Sequence, residues 1–370
     1  MSKCNQMKKI LICVGTRPNL IKITRFKECL VKEGLNYVLL HTGQHYDYEM
    51  NGVFFEELGL GKPDIFLNVK GTSQIDTIAQ IAQKAEGVFE KEKPDMVLVP
   101  GDVNSSLACA ISASRMGIPL GHIESGLRSF DRAMPEEINR RLIDELSDIF
   151  FVTEESGIKN LQKEGKANKD TFLVGNTMID TLVKFRDQIT RRIALQESNK
   201  AISKYGLVTF HRPSNVDSPD NLTYIAELLQ SICDHIPVVF PVHPRTKKQL
   251  ESNNLWEVLE KQENLLLTGP KGYFDFLNLV SNASFVLTDS GGIQEETTYL
   301  QVPCLTLRNN TERPITCEIG TNTLMELDKE NILTTIHIIL SGQYKTGQIP
   351  PYWDGFATER IVKAIKNFLL

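Results

Sequence analysis

The sequence has no apolar run approaching the ~20 residues that a membrane helix needs, so nothing in it reads as a transmembrane span. It has no dense Lys/Arg block. Its 41 Lys and Arg are outweighed by 46 Asp and Glu, for a net charge of −5. That speaks against nucleic acid as a main partner. The seven cysteines are odd in number, scattered, and contain no CxxC pair. They exclude a disulfide scaffold and read as reduced thiols of a cytosolic protein. The seven histidines show no metal-ligand spacing, so no metal is expected. Lys3, Lys8 and Lys9 precede Ile10-Leu11-Ile12-Cys13-Val14. That run is too short for a signal-peptide core, and Gly15-Thr16-Arg17-Pro18 is no cleavage site. No internal repeat and no low-complexity tract is present.

What is present is ordinary in amount and regular in pattern. The chain has 370 residues, 41% hydrophobic and 24% charged, a length that favours two domains. Strand-like and helix-like segments alternate throughout, as in parallel sheets with crossover helices. In the first half, strands are predicted at Ile10–Val14, Tyr37–Leu40, Met96–Val99, Ile118–Ile123, Ile149–Val152 and Thr171–Val174. Pro18 opens a single helix whose apolar positions Leu20, Ile21, Ile23, Phe26 and Leu30 repeat at helical spacing until Gly34 ends it. Pro135-Glu136-Glu137 opens another, with Ile138, Leu142, Ile143 and Leu146. The polar stretch Arg186 to Lys204 includes the crossing between domains. The pattern then restarts with strands at Leu207–Phe210, Val238–Val242, Leu265–Leu267, Phe285–Leu287 and Cys304–Leu307, and a last helix over Phe356–Leu370.

One stretch organises the rest: Leu287-Thr288-Asp289-Ser290-Gly291-Gly292-Ile293-Gln294-Glu295-Glu296-Thr297. A buried strand runs into a Ser-Gly-Gly turn, and a helix starts at Ile293. Two glycines let backbone approach a ligand, and the fresh helix N-terminus offers N–H groups and a positive dipole end. That suits a phosphate or diphosphate. Glu296, about one turn inside, can accept two hydroxyls of a ribose. The bland alternative is an ordinary strand–turn–helix.

Other polar groups share its position after a strand's C-terminal end, where open parallel sheets bind ligands. Arg17 beside a helix start offers two parallel donors to a phosphate, or it is a surface ion-pairing residue. Lys22, a turn later, either faces that loop or is solvated. Asp102 after Gly101 either shapes a turn or works. Glu124, close to a core strand, needs a partner. Glu136 behind Pro135 is also an ordinary first-turn residue. His211-Arg212 and Arg313 complete the set, with structural and neighbour-pairing alternatives open. Three carboxylates and a histidine together suit proton transfer to and from carbon.

Seven motifs occur in order: Gly15-Thr16-Arg17-Pro18, Gly101-Asp102, Gly121-His122-Ile123-Glu124-Ser125-Gly126-Leu127-Arg128, Pro135-Glu136-Glu137-Ile138-Asn139-Arg140, His211-Arg212, Thr288 to Glu296, and Thr311-Glu312-Arg313-Pro314. The set resembles the non-hydrolysing UDP-N-acetylglucosamine 2-epimerases over nearly the whole chain. The resemblance implies an α/β fold of two Rossmann-like parallel-sheet domains, glycosyltransferase-B-like, with the active site in the interdomain cleft. It implies an N-terminal domain of residues 1–184 plus a returning helix 356–370, and a UDP-binding domain of 185–355. It also implies a cytoplasmic homodimer that uses neither metal nor nicotinamide, and a place in cell-surface polysaccharide synthesis.

By motif position, Asp102, Glu124, Glu136 and His211 look like the family's catalytic residues. Arg17, Lys22, Phe276, Ser290, Gly291, Gly292, Glu296 and Arg313 look like its UDP ligands. The family usually has Glu where this chain has Asn19, and Thr where it has Val103. Gln44-His45 resembles part of an activator-binding loop, whereas Tyr46-Asp47-Tyr48-Glu49 departs from it. The implied reaction interconverts UDP-N-acetylglucosamine and UDP-N-acetylmannosamine. A hydrolysing epimerase, an epimerase of another UDP-2-acetamido sugar, a glycosyltransferase of the same fold and a non-catalytic UDP-sugar sensor are the alternatives.

Overall fold

The computed structural model describes residues 7–43, 54–166, 170–192, 195 and 204–370. The chain divides into two compact units, Met1–Lys184 with Pro351–Leu370, and Phe185–Pro350. The division falls inside one helix, Thr177–Thr190. Among the described residues no helix is long and apolar enough to cross a membrane.

Unit 1 holds a seven-stranded sheet: β1 Lys9–Val14, β2 Asn36–His41, β3 Ile65–Phe66, β4 Met96–Pro100, β5 Leu120–Ile123, β6 Ile149–Val152 and β7 Asp170–Leu173. The order is β3-β2-β1-β4-β5-β6-β7, with every pairing parallel. Unit 2 holds six strands: β8 Gly206–Thr209, β9 Val238–Pro241, β10 Leu265–Thr268, β11 Phe285–Thr288, β12 Cys304–Leu307 and β13 Asn322–Met325. Their order is β10-β9-β8-β11-β12-β13, again all parallel. The central strands are apolar on both faces because helices cover both. Ile10 to Val14 and Phe285 to Leu287 are fully buried.

In both sheets the connections reverse direction between the first strand and the fourth. That reversal leaves a crevice outside the strands' carboxyl ends, the place where such sheets take ligands. The loops after β1 and β4 carry Arg17 and Asp102. The loops after β8 and β11 carry His211 and Ser290-Gly291-Gly292.

Some elements differ from expectation. The helix after β1 is broken into Arg17–Lys22 and Phe26–Lys32. Thr24 explains the break: its hydroxyl donates to the Leu20 and Ile21 carbonyls, at 3.1 and 2.9 Å, and so competes with the helix ladder. The helix expected from Ile293 begins two residues earlier, at Gly291. Strands β3 and β13 are additions at the sheet edges: β3 is only two residues long, and β13 has only Leu324-Met325 as apolar residues. The 19-residue helix Gln74–Glu92 buries only Ile81, Ala85 and Phe89, too thin a stripe to mark it in the sequence. The closing helix Ala357–Leu369 packs in unit 1. Asp180 holds its start, accepting from the Ala357 and Thr358 amides at 3.0 and 2.6 Å.

Candidate active site

In unit 1 two of the candidate carboxylates, Glu124 and Asp102, are held by ion pairs. Glu124 follows β5 with φ 73°, a left-handed conformation costing a non-glycine residue on the order of 1–3 kcal/mol. Its surroundings enforce it. The Glu124 and Ser125 amides both donate to Phe151 O, at 3.0 and 3.1 Å, and Gly101 N donates to Ile123 O at 2.9 Å. The carboxylate is buried, with Oε2 2.6 Å from Lys22 Nζ. Lys22 is therefore neither solvated nor a simple surface cation. A Cβ on Gly101 would stand 2.9 Å from Lys22 Nζ and 3.6 Å from Glu124 Oε2, and Gly101 has φ +64°. Both the close approach and the left-handed turn require glycine there.

Asp102, the next residue, pairs through Oδ2 with Arg140, whose Nε lies at 3.1 Å. Its backbone carbonyl accepts from Asn139 Nδ2 at 2.9 Å. Both partners belong to the helix Pro135–Leu146. Glu136 sits exposed in that helix's first turn, four residues before Arg140 and so on its face. Glu137 is the buried member of the Glu136-Glu137 pair. It accepts from the Ser129 amide at 2.8 Å and from Arg140 Nη1 at 2.9 Å. Arg17 stands half-buried, its guanidinium 4.4 Å from the centre of the Phe54 ring. Burial lowers its pKa, and the charge of Glu57 partly offsets this.

Behind Gly101-Asp102 lies a buried chain of contacts. His122 Nε2 lies 3.0 Å from Gly101 O and Nδ1 lies 2.6 Å from Asp144 Oδ1. Asp144 meets Arg128 at 2.7 Å. Burial pushes the Asp144 pKa up, but His122 and Arg128 outweigh it and hold it below the usual carboxylate range. Both ring nitrogens of His122 face acceptors.

In unit 2 the helix Gly291–Leu300 starts at Ser290, whose side chain makes no capping bond. The Ser290 side chain therefore does not satisfy the first-turn N–H groups of that helix. Glu296, in that helix, is buried. Burial raises its pKa to about 8; the Tyr273 hydroxyl hydrogen-bonds it and lowers it, while the charge of Glu295 raises it. Phe276 is half-buried on the helix Tyr273–Asn282, against the core that contains Leu207 and Ile293. Arg313 does pair with neighbours, Glu312 Oε1 at 2.5 Å and Glu295 Oε1 at 2.9 Å.

His211 is oriented by Asp289, which lies 2.9 Å from His211 Nδ1 and accepts from the backbone amides of His211 and Arg212 at 3.0 and 2.9 Å. Burial raises the Asp289 pKa, and the bonds to His211 and Arg212 more than reverse that. Among the described residues none hydrogen-bonds the ring's Nε2. Sequence reasoning did not assign Asp289, Arg140 or His122 a role. For Asp289 the signal was available: a carboxylate directly after a buried strand, the argument applied to Asp102.

A family model described as UDP-N-acetylglucosamine 2-epimerase matches residues 27–366. The chain belongs to the UDP-N-acetylglucosamine 2-epimerase family. A UDP-N-acetylglucosamine 2-epimerase from Methanocaldococcus jannaschii is 40% identical over 362 residues, covering 96% of this chain and 98% of its own. A UDP-2,3-diacetamido-2,3-dideoxy-D-glucuronate 2-epimerase from Pseudomonas aeruginosa is 39% identical, covering 96% and 98%. The crystal structure of the Methanocaldococcus jannaschii UDP-GlcNAc 2-epimerase in complex with UDP-GlcNAc and UDP superposes with a TM-score of 0.88. It is 39% identical and covers 97% of this chain and 99% of that one. The two parallel-sheet α/β domains agree with the glycosyltransferase-B-like fold expected of the family.

One departure from the family pattern has a local account. Asn19 is buried, and its Oδ1 accepts from the Gly15 and Thr16 amides, each at 3.3 Å, while Nδ2 donates to Pro100 O at 3.0 Å. A glutamate could not make that last bond. Asn19 thus ties the Arg17 loop to the Asp102 loop. The Gln44-His45 segment lies outside the described residues.

Proposed function

We propose that this family member interconverts UDP-N-acetylglucosamine and UDP-N-acetylmannosamine without net hydrolysis, feeding cell-surface polysaccharide synthesis. The observation that carries the reading is the pair of switch-point sites. One presents fixed carboxylates beside a buried lysine; the other presents a ligand-ready helix start flanked by arginine, an oriented histidine and a buried glutamate. The diphosphate rests on Ser290, Gly291, Gly292 and Arg313, with Arg17 and Lys22 as further cationic ligands. The ribose meets Glu296, and Phe276 lies by the base.

A carboxylate removes the proton from carbon 2 as the C1–O bond breaks, in the anti sense, and UDP leaves with that bonding pair. The intermediate is 2-acetamidoglucal. UDP then adds back to carbon 1 while a proton is delivered to the opposite face of carbon 2. Two faces require acid–base groups on two sides, the office of Asp102, Glu124 and Glu136. His211 and the arginines stabilise charge on the departing diphosphate.

NMR of the purified protein with UDP-N-acetylglucosamine in heavy water tests this. The manno epimer should appear, with deuterium at carbon 2. Free N-acetylmannosamine with UDP would point to a hydrolysing enzyme, an acceptor requirement to a transferase, and complete retention of the carbon 2 hydrogen would remove the elimination route. The Pseudomonas relative's name favours a second substrate, a UDP-2,3-diacetamido uronate, to be run in parallel. The resemblance further supports a cytoplasmic homodimer, which light scattering of the purified chain checks by mass.

A further inference from the structure

Over the first residue of the helix Gly291–Leu300, two arginines share one carboxylate. Arg308 Nη2 lies 2.9 Å from Glu312 Oε2, and Arg313 Nη1 lies 2.5 Å from Glu312 Oε1. All three side chains are less than a tenth exposed. A Cβ placed on Gly291 would stand 3.0 Å from Glu312 Oε1, 3.1 Å from Arg313 Nη1 and 3.7 Å from Arg308 Nη1. The carboxylate therefore occupies the space immediately against the helix start, with a guanidinium on each oxygen. Two guanidiniums can hold a phosphate beside a helix N-terminus in the same way. We propose that Glu312 is an internal stand-in for a phosphate of the ligand, and that Arg308, once Glu312 turns away, becomes a diphosphate-binding residue beside Arg313. The inference rests on the reading of the Ser290-Gly291-Gly292 turn as the UDP site.

The surroundings suit an exchange of anions. Two guanidiniums this close repel and need negative charge between them. Burial lowers the Arg308 pKa, the Glu312 charge offsets only part of that, and the charges of Arg212 and Arg313 lower it further. A doubly charged diphosphate would neutralise the cluster better than one carboxylate. The backbone of the Glu312 loop is pinned, so a side-chain rotation is all the exchange requires. Thr311 Oγ1 donates to Gln294 Oε1 at 2.8 Å, the Arg313 amide donates to Thr311 Oγ1 at 3.0 Å, and Thr316 Oγ1 donates to Arg313 O at 2.8 Å. Arg313 keeps Glu295, 2.9 Å from its Nε, when Glu312 leaves. The cost of displacing Glu312 is repaid only by a ligand that brings its own anion, so the device favours the nucleotide over the nucleoside.

Calorimetric titration of the full chain with UDP, and with uridine, tests this on four proteins: wild type, Arg308→Gln, Glu312→Gln and Glu296→Gln. Arg308→Gln should weaken UDP about tenfold or more, the worth of a charge-assisted bond, and leave uridine unchanged. Glu312→Gln should bind UDP at least about threefold more tightly, by removing the competing anion. UDP affinity in Arg308→Gln equal to wild type, or weakened affinity in Glu312→Gln, overturns the proposal. If Glu312→Gln fails to fold, Glu312→Asp replaces it: the shorter carboxylate bridges less well, so UDP should again bind more tightly, and weaker binding overturns the proposal. Normal UDP binding in Glu296→Gln, or none in wild type, would remove the underlying site and this inference with it. A loss in Glu296→Gln with none in Arg308→Gln removes the inference alone.

Discussion

Lys22 Nζ stands 2.6 Å from Glu124 Oε2, with both side chains buried and the two residues 102 positions apart in the chain. The pair joins the short helix after β1 to the strained turn after β5. Its two members depend on each other energetically as well as chemically. Removing one charge of a buried pair leaves the other uncompensated, at roughly 3–5 kcal/mol. Glu124→Gln should therefore lose stability as well as turnover, while the double variant Lys22→Met/Glu124→Gln regains most of the stability and none of the activity. Urea unfolding of the three proteins decides it. A double variant as unstable as the sum of the singles would mean the pair is not coupled.

Asp102→Asn and Glu136→Gln should each reduce turnover by about 10²–10⁴, the range for general acid–base groups, and still bind UDP. The two differ structurally. Asp102 is tied to Arg140, whereas Glu136 is exposed, so only Asp102→Asn should lower the melting temperature. Near-normal turnover in both would show that these carboxylates do no chemistry.

Asp289→Asn should lower turnover by on the order of 10², because His211 loses the carboxylate that sets its tautomer. Asp289 also carries an acid signature. Its folded pKa is depressed, so its contribution to stability is present above the usual carboxylate range, about pH 4, and is lost as pH falls through the lower folded value. Wild type should thus lose a stability advantage over the variant, roughly 2 kcal/mol, only in strongly acidic solution. An advantage unchanged from pH 7 down to pH 2 would contradict the assignment.

Glu296 behaves in the opposite sense. Burial raises its folded pKa to about 8. Below the unfolded value, about pH 4.3, the group is protonated in both states and carries no penalty. The penalty grows as pH rises and levels off above about 8. Without ligand, Glu296→Gln should match wild type near pH 4 and be more stable at pH 8.5, by up to a few kcal/mol, while losing UDP affinity at both. Thermal melts at the two values measure this, and a constant difference in melting temperature would show that Glu296 is not titrating there.

The strands that build both sheets are legible as short apolar runs, because a central parallel strand is buried on both faces and needs no alternation. Ile149–Val152 and Cys304–Leu307 match residue for residue. β3 and β13 are not legible: both are edge strands, β3 only two residues long and β13 opening with Asn322-Thr323. The turn at Ser290-Gly291-Gly292 is legible for a local reason: a strand, two glycines and a helix start lie within one stretch, and that geometry is set by the backbone alone. The helix after β1 shows the limit of local reading, because apolar spacing continues through Thr24 while its hydroxyl breaks the ladder.

By itself the sequence determined which residue types sit at which strand ends, since strand, turn and helix start are set by neighbours a few positions away. Strand order was a tertiary decision. So were the long-range charge partners: Lys22 with Glu124, Asp102 with Arg140, and His211 with Asp289. The helix's packing chose Glu137 for burial and left Glu136 outside, although the two are adjacent and chemically alike. The reason is physical. A charge's role depends on its dielectric surroundings and on what stands within a few ångströms, and those neighbours come from segments up to 102 residues away.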